Sequence, residues 1–303
     1  MNGKSNSLIH WFPGHMTKSL REMQANLPLA DVVLYVLDAR APQSCFNPSF
    51  DEMVGDKPVV YVLNKADLVP SSAINLWKSK LSKGNKVAVA VNASSSGSTK
   101  ILLPIIEKIA HEKLERYRAK GVKVALRGMV IGVPNSGKST LINNFCAKAK
   151  TVTGNRPGVT RGKQWVRVND YFELLDTPGT LYPKLSDQQA ALHLAYIGSI
   201  KDGVTDIMAI SVSLLKHLLN LAPNALKERY NIIPEKLKDP DIDGIENFSM
   251  DALEQKSIGE QMLECVAVCR GLVQRGGVAD IEKAAVAVLD DFRKGRLGKI
   301  ILD

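Results

Sequence analysis

An apolar run, Val124–Ile131, gives way to Gly132-Val133-Pro134-Asn135-Ser136-Gly137-Lys138-Ser139 and then to the helix-compatible Thr140–Lys148. G-x-x-x-x-G-K-S between a strand and a helix is a phosphate-binding loop. Its glycines let the backbone amides of Asn135, Ser136, Gly137 and Thr140 converge on phosphate oxygens, with Pro134 contributing backbone but no N–H to the same loop. Lys138 sets a positive charge at the β and γ phosphates, and Ser139 offers a hydroxyl to Mg2+. A loop of this kind confines the chain to α/β architectures whose ligands sit beyond the carboxyl ends of the strands.

The rest of the first half agrees. Val32–Leu37, Val59–Leu63, Val87–Val91 and Phe172–Leu175 are short apolar runs spaced for strands alternating with helices in a mainly parallel sheet. Gln164–Val168 alternates instead and is joined to Phe172–Leu175 by Asn169-Asp170, which predicts an antiparallel edge strand. Each parallel run is followed at once by a polar or glycine-bearing group: Asp38-Ala39-Arg40, Asn64-Lys65-Ala66-Asp67, Asn92-Ala93-Ser94 and Asp176-Thr177-Pro178-Gly179. Several loops therefore face one crevice.

Two of these groups carry chemistry. Asp176 is placed to act on the magnesium through water, and the Gly179 amide is within reach of a γ-phosphate. The Asp67 carboxylate can accept two hydrogen bonds from guanine N1–H and its exocyclic amine, an arrangement adenine cannot offer, so the expected ligand is GTP or GDP.

After Lys184 the pattern changes. Ser186-x-x-Gln189 and Ser257-x-x-Glu260 have the form of capping boxes, and Ile281, Ala284, Ala285, Val288, Leu289 and Phe292 make an apolar stripe at helical spacing. The expected organisation is a GTPase domain over 1–184, including the segment 1–30, and an all-α domain over 185–303.

With these motifs in view the chain resembles the GTPases of the translation-factor class in an altered order. The guanine-reading Asn64–Asp67 and the base-backing Asn92-Ala93 precede the phosphate loop, and Thr160 and then Asp176–Gly179 follow it. A circular permutation explains this order without moving any loop in space. With Trp11-Phe12-Pro13-Gly14-His15-Met16 near its start and a helical second domain, the chain resembles the ribosome biogenesis GTPase A family of the YlqF type over nearly its whole length.

That resemblance implies a GTPase that binds the immature large (50S) ribosomal subunit, assists a late assembly step, and leaves after hydrolysis stimulated by the subunit. It implies Thr160 as a further magnesium ligand beside Ser139 and Asp176. Thr180 stands where many Ras-like GTPases carry a water-orienting Gln, so water has to be positioned another way. The resemblance points to His15 for that role; a structural His beside Trp11 and Phe12 is the other reading. Asn135 resembles the asparagine of potassium-activated GTPases, where it helps hold K+ near the phosphates, and a local loop hydrogen bond is the alternative. A guanine-nucleotide-gated binding module with little hydrolysis remains the competing function.

Charge narrows the partners. The chain has 40 Lys and Arg against 31 Asp and Glu, and residues 100–170 alone carry +11. Lys113, Arg116, Arg118, Lys120, Lys123 and Arg127, then Lys148, Lys150, Arg156, Arg161, Lys163 and Arg167, and in the tail Arg293, Lys294, Arg296 and Lys299, are candidate rRNA phosphate contacts. DNA and membrane partners are not expected, and the expected state is a cytoplasmic monomer. Four scattered cysteines exclude a disulfide scaffold. The chain also lacks the zinc-binding cysteine cluster of the permuted small-subunit GTPases. Cys265 and Cys269, four apart, are read as core packing.

Overall fold

The computed structural model describes residues 14–119, 125–146, 165–181, 187–237 and 256–303. They fall into two compact units, one of residues 191–300 and one containing the remaining described residues, with 301–303 among them.

The first unit is built on six strands: β1 (Val32–Asp38), β2 (Val59–Asn64), β3 (Lys86–Ala90), β4 (Leu126–Ile131), β5 (Trp165–Asn169) and β6 (Phe172–Asp176). Their order in the sheet is β3-β2-β1-β4-β6-β5. All pairs are parallel except β5 with β6, which is antiparallel, so the alternating Gln164–Val168 run becomes the edge strand its pattern predicts. From β1 the chain winds outward through β2 to β3, and from β4 it winds the other way to β6. The reversal falls between β1 and β4, and a crevice opens at the carboxyl ends of such a pair. Counted from β4 as the first strand, with β1 to β3 placed last, the order reads 2-3-1-4-5-6, as expected when old termini are joined and a new cut is made elsewhere.

β1 is buried on both faces, which is why it reads as an unbroken apolar run. On one face Val32, Leu34 and Val36 join Val60, Val62, Val130 and Leu174 beneath Leu102, Ile106, Leu141 and Phe145. These last come from α5 (Leu102–Ile109) and α7 (Lys138–Cys146). On the other face Tyr35 stacks on Phe46 and meets Phe50 edge-on, each at 5.6 Å. Around them run α1 (Gly14–Asn26), α2 (Pro42–Cys45), α3 (Pro48–Val54), α4 (Ser71–Leu81) and α6 (His111–Ala119).

The remaining described α-helices lie wholly or mostly in the second unit, and all but one, Pro223–Tyr230, begin where a side chain caps them. Asp187 accepts from the amides of Gln189 and Ala190 at the start of α8 (Gln188–Tyr196), while Ser186, the residue expected to cap it, lies outside the described residues. Asp206 caps α9 (Ile207–Leu221), and α10 (Pro223–Tyr230) ends on left-handed Asn231. Ser257 and Glu260 form the reciprocal capping box of α11 (Ile258–Cys269), and Asp280 caps α12 (Ile281–Arg293). The stripe on α12 is the core face: Ala284, Ala285, Val288, Leu289 and Phe292 are buried. A Cβ on Gly259 would stand 2.5 Å from Val212, so glycine sets how closely α11 and α9 approach. Cys265 is only partly covered and Cys269 is exposed, which corrects the core reading. The apolar face of α11 is carried by Met262, Leu263, Val266 and Ala267, and the thiols fall on its margin.

No described helix is long and apolar enough to cross a membrane.

Candidate functional site

The phosphate loop leaves β4 in a path only particular residues can follow. Gly132 sits at φ +148°, and a Cβ there would lie 2.3 Å from the Val36 carbonyl of β1; Gly137 sits at φ +97°, where a Cβ would strike the Asn64 amide. Asn135 holds a left-handed φ of 57°, a conformation Asn tolerates better than most residues. Lys138 opens α7 and curls back, its ammonium donating to the carbonyls of Gly132 (3.2 Å) and Val133 (2.9 Å). Burial lowers its pKa to about 8, against the opposing pull of Asp176. A phosphate would favour the charged form further. The Ser136 hydroxyl is buried inside the loop with no hydrogen-bond partner among the described residues, which fits a loop whose polar complement comes from a ligand.

β6 brings the second group to the same place. Asp176 Oδ2 stands 3.4 Å from the Ser139 hydroxyl; burial raises the carboxyl above its usual range while Lys138 and Ser139 pull it down. These oxygen donors at the rim of a phosphate loop fit magnesium, and a cation there would reverse the effect of burial. Thr177 is pinned by its hydroxyl to the Val130 carbonyl at 2.5 Å. Gly179 lies against the phosphate loop so closely that a Cβ would come within 2.7 Å of Pro134 and 2.8 Å of Lys138 Nζ. Thr180 is fully buried, its amide on the Gly132 carbonyl at 3.3 Å and its hydroxyl on the sulfur of Met23.

The third group closes the crevice from β2. Asn64 donates from Nδ2 to the Ser136 carbonyl (2.8 Å) and accepts at Oδ1 from the Ala93 amide (2.9 Å), linking the phosphate loop to the Asn92-Ala93 loop. Lys65 donates to the Asn135 carbonyl at 3.0 Å. Asp67 is exposed in the short turn that follows, where its carboxylate can meet a base. Asn92 caps its own loop by accepting from the Ser94 amide. Asn144 of α7, which carries no motif, donates to the Ala93 and Ser95 carbonyls and holds that loop against the phosphate-binding helix.

The loops named from the sequence therefore meet where the winding of the sheet reverses. A protein of Bacillus cereus named Ribosome biogenesis GTPase A is 38% identical over 299 residues, covering 98% of this chain and 94% of its own. The chain belongs to the ribosome biogenesis GTPase A family. Residues 127–240 also match the family described as 50S ribosome-binding GTPase. Mitochondrial ribosome-associated GTPase 1 of Ictalurus punctatus is 33% identical over 98% of this chain and 92% of its own. The GNP-bound structure of YlqF from T. maritima superposes with a TM-score of 0.62 at 24% identity, covering 94% of this chain and 97% of that one, and shares the fold. Membership of the ribosome biogenesis GTPase A family makes the chain a GTPase that binds guanine nucleotide.

Two expected site residues are not among those whose side chains are described. Thr160 lies outside the described residues, and His15 falls in the first turn of α1 with its side chain outside them. Most described basic residues set aside for rRNA are ion-paired within the chain: Lys113 with Asp31, Arg116 with Glu112, Arg127 with Glu173, Arg167 with Asp170 and Lys294 with Asp290. The exposed pairs among them, Arg116 with Glu112, Arg167 with Asp170 and Lys294 with Asp290, are weak and exchange readily for phosphate. Arg293 is different. It grips Asp202 with two nitrogens (2.7 and 2.8 Å) and donates to the carbonyls of Ala195 and Tyr196 at the end of α8, which makes it part of the helical unit's framework. The tail around it is a run of tight turns, with Gly295 and Gly298 at positive φ and Arg296 bound to Asp290 and Asp291.

Proposed function

We propose that the protein binds the immature 50S subunit and assists a late step of its assembly, hydrolysing GTP when the subunit activates it and leaving in the GDP state. The observation that carries this reading is the burial of Thr180 against Met23 at the position where other GTPases orient water. A chain with no side chain at that position free to hold the water depends on a group brought there by other means, and a large-subunit partner is a source of such order. The names of the relatives, one a ribosome biogenesis GTPase and one a mitochondrial ribosome-associated GTPase, support the same partner.

In the proposed mechanism Lys138 and the amides of the phosphate loop neutralise charge on the β and γ phosphates, Ser139, Asp176 and Thr160 hold Mg2+, and Gly179 senses the γ-phosphate through its amide. His15 orients the attacking water, and Asn135 helps hold K+ beside the phosphates. When bound, the magnesium supplies Lewis-acid stabilisation of the transferring phosphoryl group. The rRNA is met through phosphate contacts, with the protein monomeric in the cytoplasm.

The test is GTP turnover with and without purified immature large subunits, together with sedimentation of protein and subunits in a GTP analogue and in GDP. Stimulated turnover and co-sedimentation that differs between nucleotides are expected. Binding without stimulation identifies a guanine-nucleotide-gated binding module instead.

A further inference from the structure

Asp38 ends β1 beside Asn64 of β2, at the reversal point of the sheet and beneath the crevice. Its carboxylate is buried and shared by two cations. Arg40, itself fully buried, donates from Nε to Oδ1 at 2.9 Å and from Nη2 to Oδ2 at 2.7 Å. Lys65 donates to Oδ2 at 2.7 Å and, with the same ammonium, to the Asn135 carbonyl on the phosphate loop. One nitrogen thus joins the end of β1, the base-reading loop after β2 and the phosphate loop. Burial alone would push the Asp38 carboxyl up; Arg40 and Lys65 more than reverse this and keep it below its usual range.

The Arg40 pair by itself satisfies the carboxylate. What Lys65 adds is position. Its backbone lies in the left-handed region at φ 59°, where a side-chain-bearing residue rarely rests, and its side chain is the partly exposed member of the trio, at 27% against 2% for Arg40 and 1% for Asp38. A four-carbon ammonium in that setting samples many rotamers unless something holds it, and ordering it before the ligand arrives spares that entropy at binding.

We propose that Asp38 is a positioning residue for guanine recognition: fixed by Arg40, it holds Lys65 and so sets the spacing between Asn64–Asp67 and the phosphate loop. This rests on the reading of Asn64–Asp67 as the base contact. Because GTP and GDP present the same base and ribose, loss of Asp38 weakens both alike. The γ-phosphate machinery on β6 is untouched, so turnover at saturation is unchanged.

The experiment measures the affinities of GDP and a non-hydrolysable GTP analogue for Asp38→Asn by fluorescence titration, with thermal unfolding as the check on folding. Both affinities are expected to fall by the same factor, about tenfold, with kcat within about twofold of the parent. Added to Lys65→Gln, Asp38→Asn is expected to cause no further loss, because the effect runs through that lysine. Full affinity in a folded Asp38→Asn protein, or an undiminished further loss on top of Lys65→Gln, overturns the proposal. If Asp38→Asn does not fold, Asp38→Asn/Arg40→Met removes the stranded buried cation and the same titrations decide. The base contact has its own control: Asp67→Asn is expected to exchange guanine for xanthine preference. Failure there overturns the reading of the base loop, whereas success beside an unweakened Asp38→Asn overturns the positioning role alone.

Discussion

The hydroxyl of Thr180 points at the sulfur of Met23, 3.9 Å away and buried with it. This contact joins α1 to the loop that carries Asp176–Gly179, and it turns the residue after the glycine inward, away from the phosphates. Thr180→Gln therefore does not restore a Ras-like water-orienting residue. The longer side chain overfills a closed site, and the expected outcome is a loss of about 1–3 kcal/mol in stability with no rise in unstimulated turnover. Denaturant unfolding and a steady-state GTP assay read the two effects.

Gly179→Ala puts a methyl group into the contact with Pro134 and Lys138 Nζ. The loop has to withdraw, taking its amide from the γ-phosphate position. The expected result is at least a tenfold fall in affinity for a GTP analogue and a smaller change for GDP, measured side by side by titration calorimetry.

Lys138 makes stability depend on pH in a definite direction. An unfolded lysine titrates near its ordinary value of 10.5, and burial brings the folded one to about 8. Between those values the unfolded chain binds more protons, so this group makes the nucleotide-free protein more stable as pH rises from about 8 to about 10.5. The full effect is of order 3 kcal/mol. Lys138→Met is expected to lose this rise, and the difference between the two unfolding curves across that range isolates it.

The helical unit has its own buried centre. Asp291 is fully buried and accepts from Arg229 and Tyr230 at 3.0 Å and from Arg296 at 2.8 Å. Burial raises its carboxyl, and these partners outweigh that and lower it on balance. A carboxyl depressed in the folded state stabilises at pH above its unfolded value and loses that contribution as acid titrates it. Asp291→Asn weakens the charge-assisted hydrogen bonds from Arg229, Arg296 and Tyr230, with an expected cost of about 1–3 kcal/mol near neutral pH that shrinks as pH falls below about 4. Urea unfolding at several pH values tests both parts.

The arrangement of the sheet was legible because its strands advertise themselves. A strand covered on both faces must be apolar throughout, as β1 and β2 are, and an edge strand alternates, as β5 does. The crevice was legible for the same reason: each loop follows a strand directly, and parallel strands deliver their carboxyl ends to one side. Capping was legible at α11, since Ser257 and Glu260 act within one turn of each other, while the role of Asp187 at the start of α8 was not read from spacing. Surface charge was the least legible. Arg293 looked like part of a basic tail, and only its pairing with Asp202, far away in the chain, shows it to be structural.

From its sequence alone the chain is committed to a permuted GTPase fold, a phosphate loop and the strand-end loop Asn64–Asp67, because these depend on residue types at short, fixed spacings that local geometry translates directly. Contacts between residues that no local pattern relates were left to the tertiary structure. Lys65 meets Asp38 and Asn135, Thr180 meets Met23, Asn144 holds Ala93, and Asp303 accepts from the amide and hydroxyl of Ser44 across 259 positions. The physical reason is that a motif needs only the backbone conformation of its own few residues. A shared buried carboxylate needs two distant segments to be desolvated together, and packing alone brings them there.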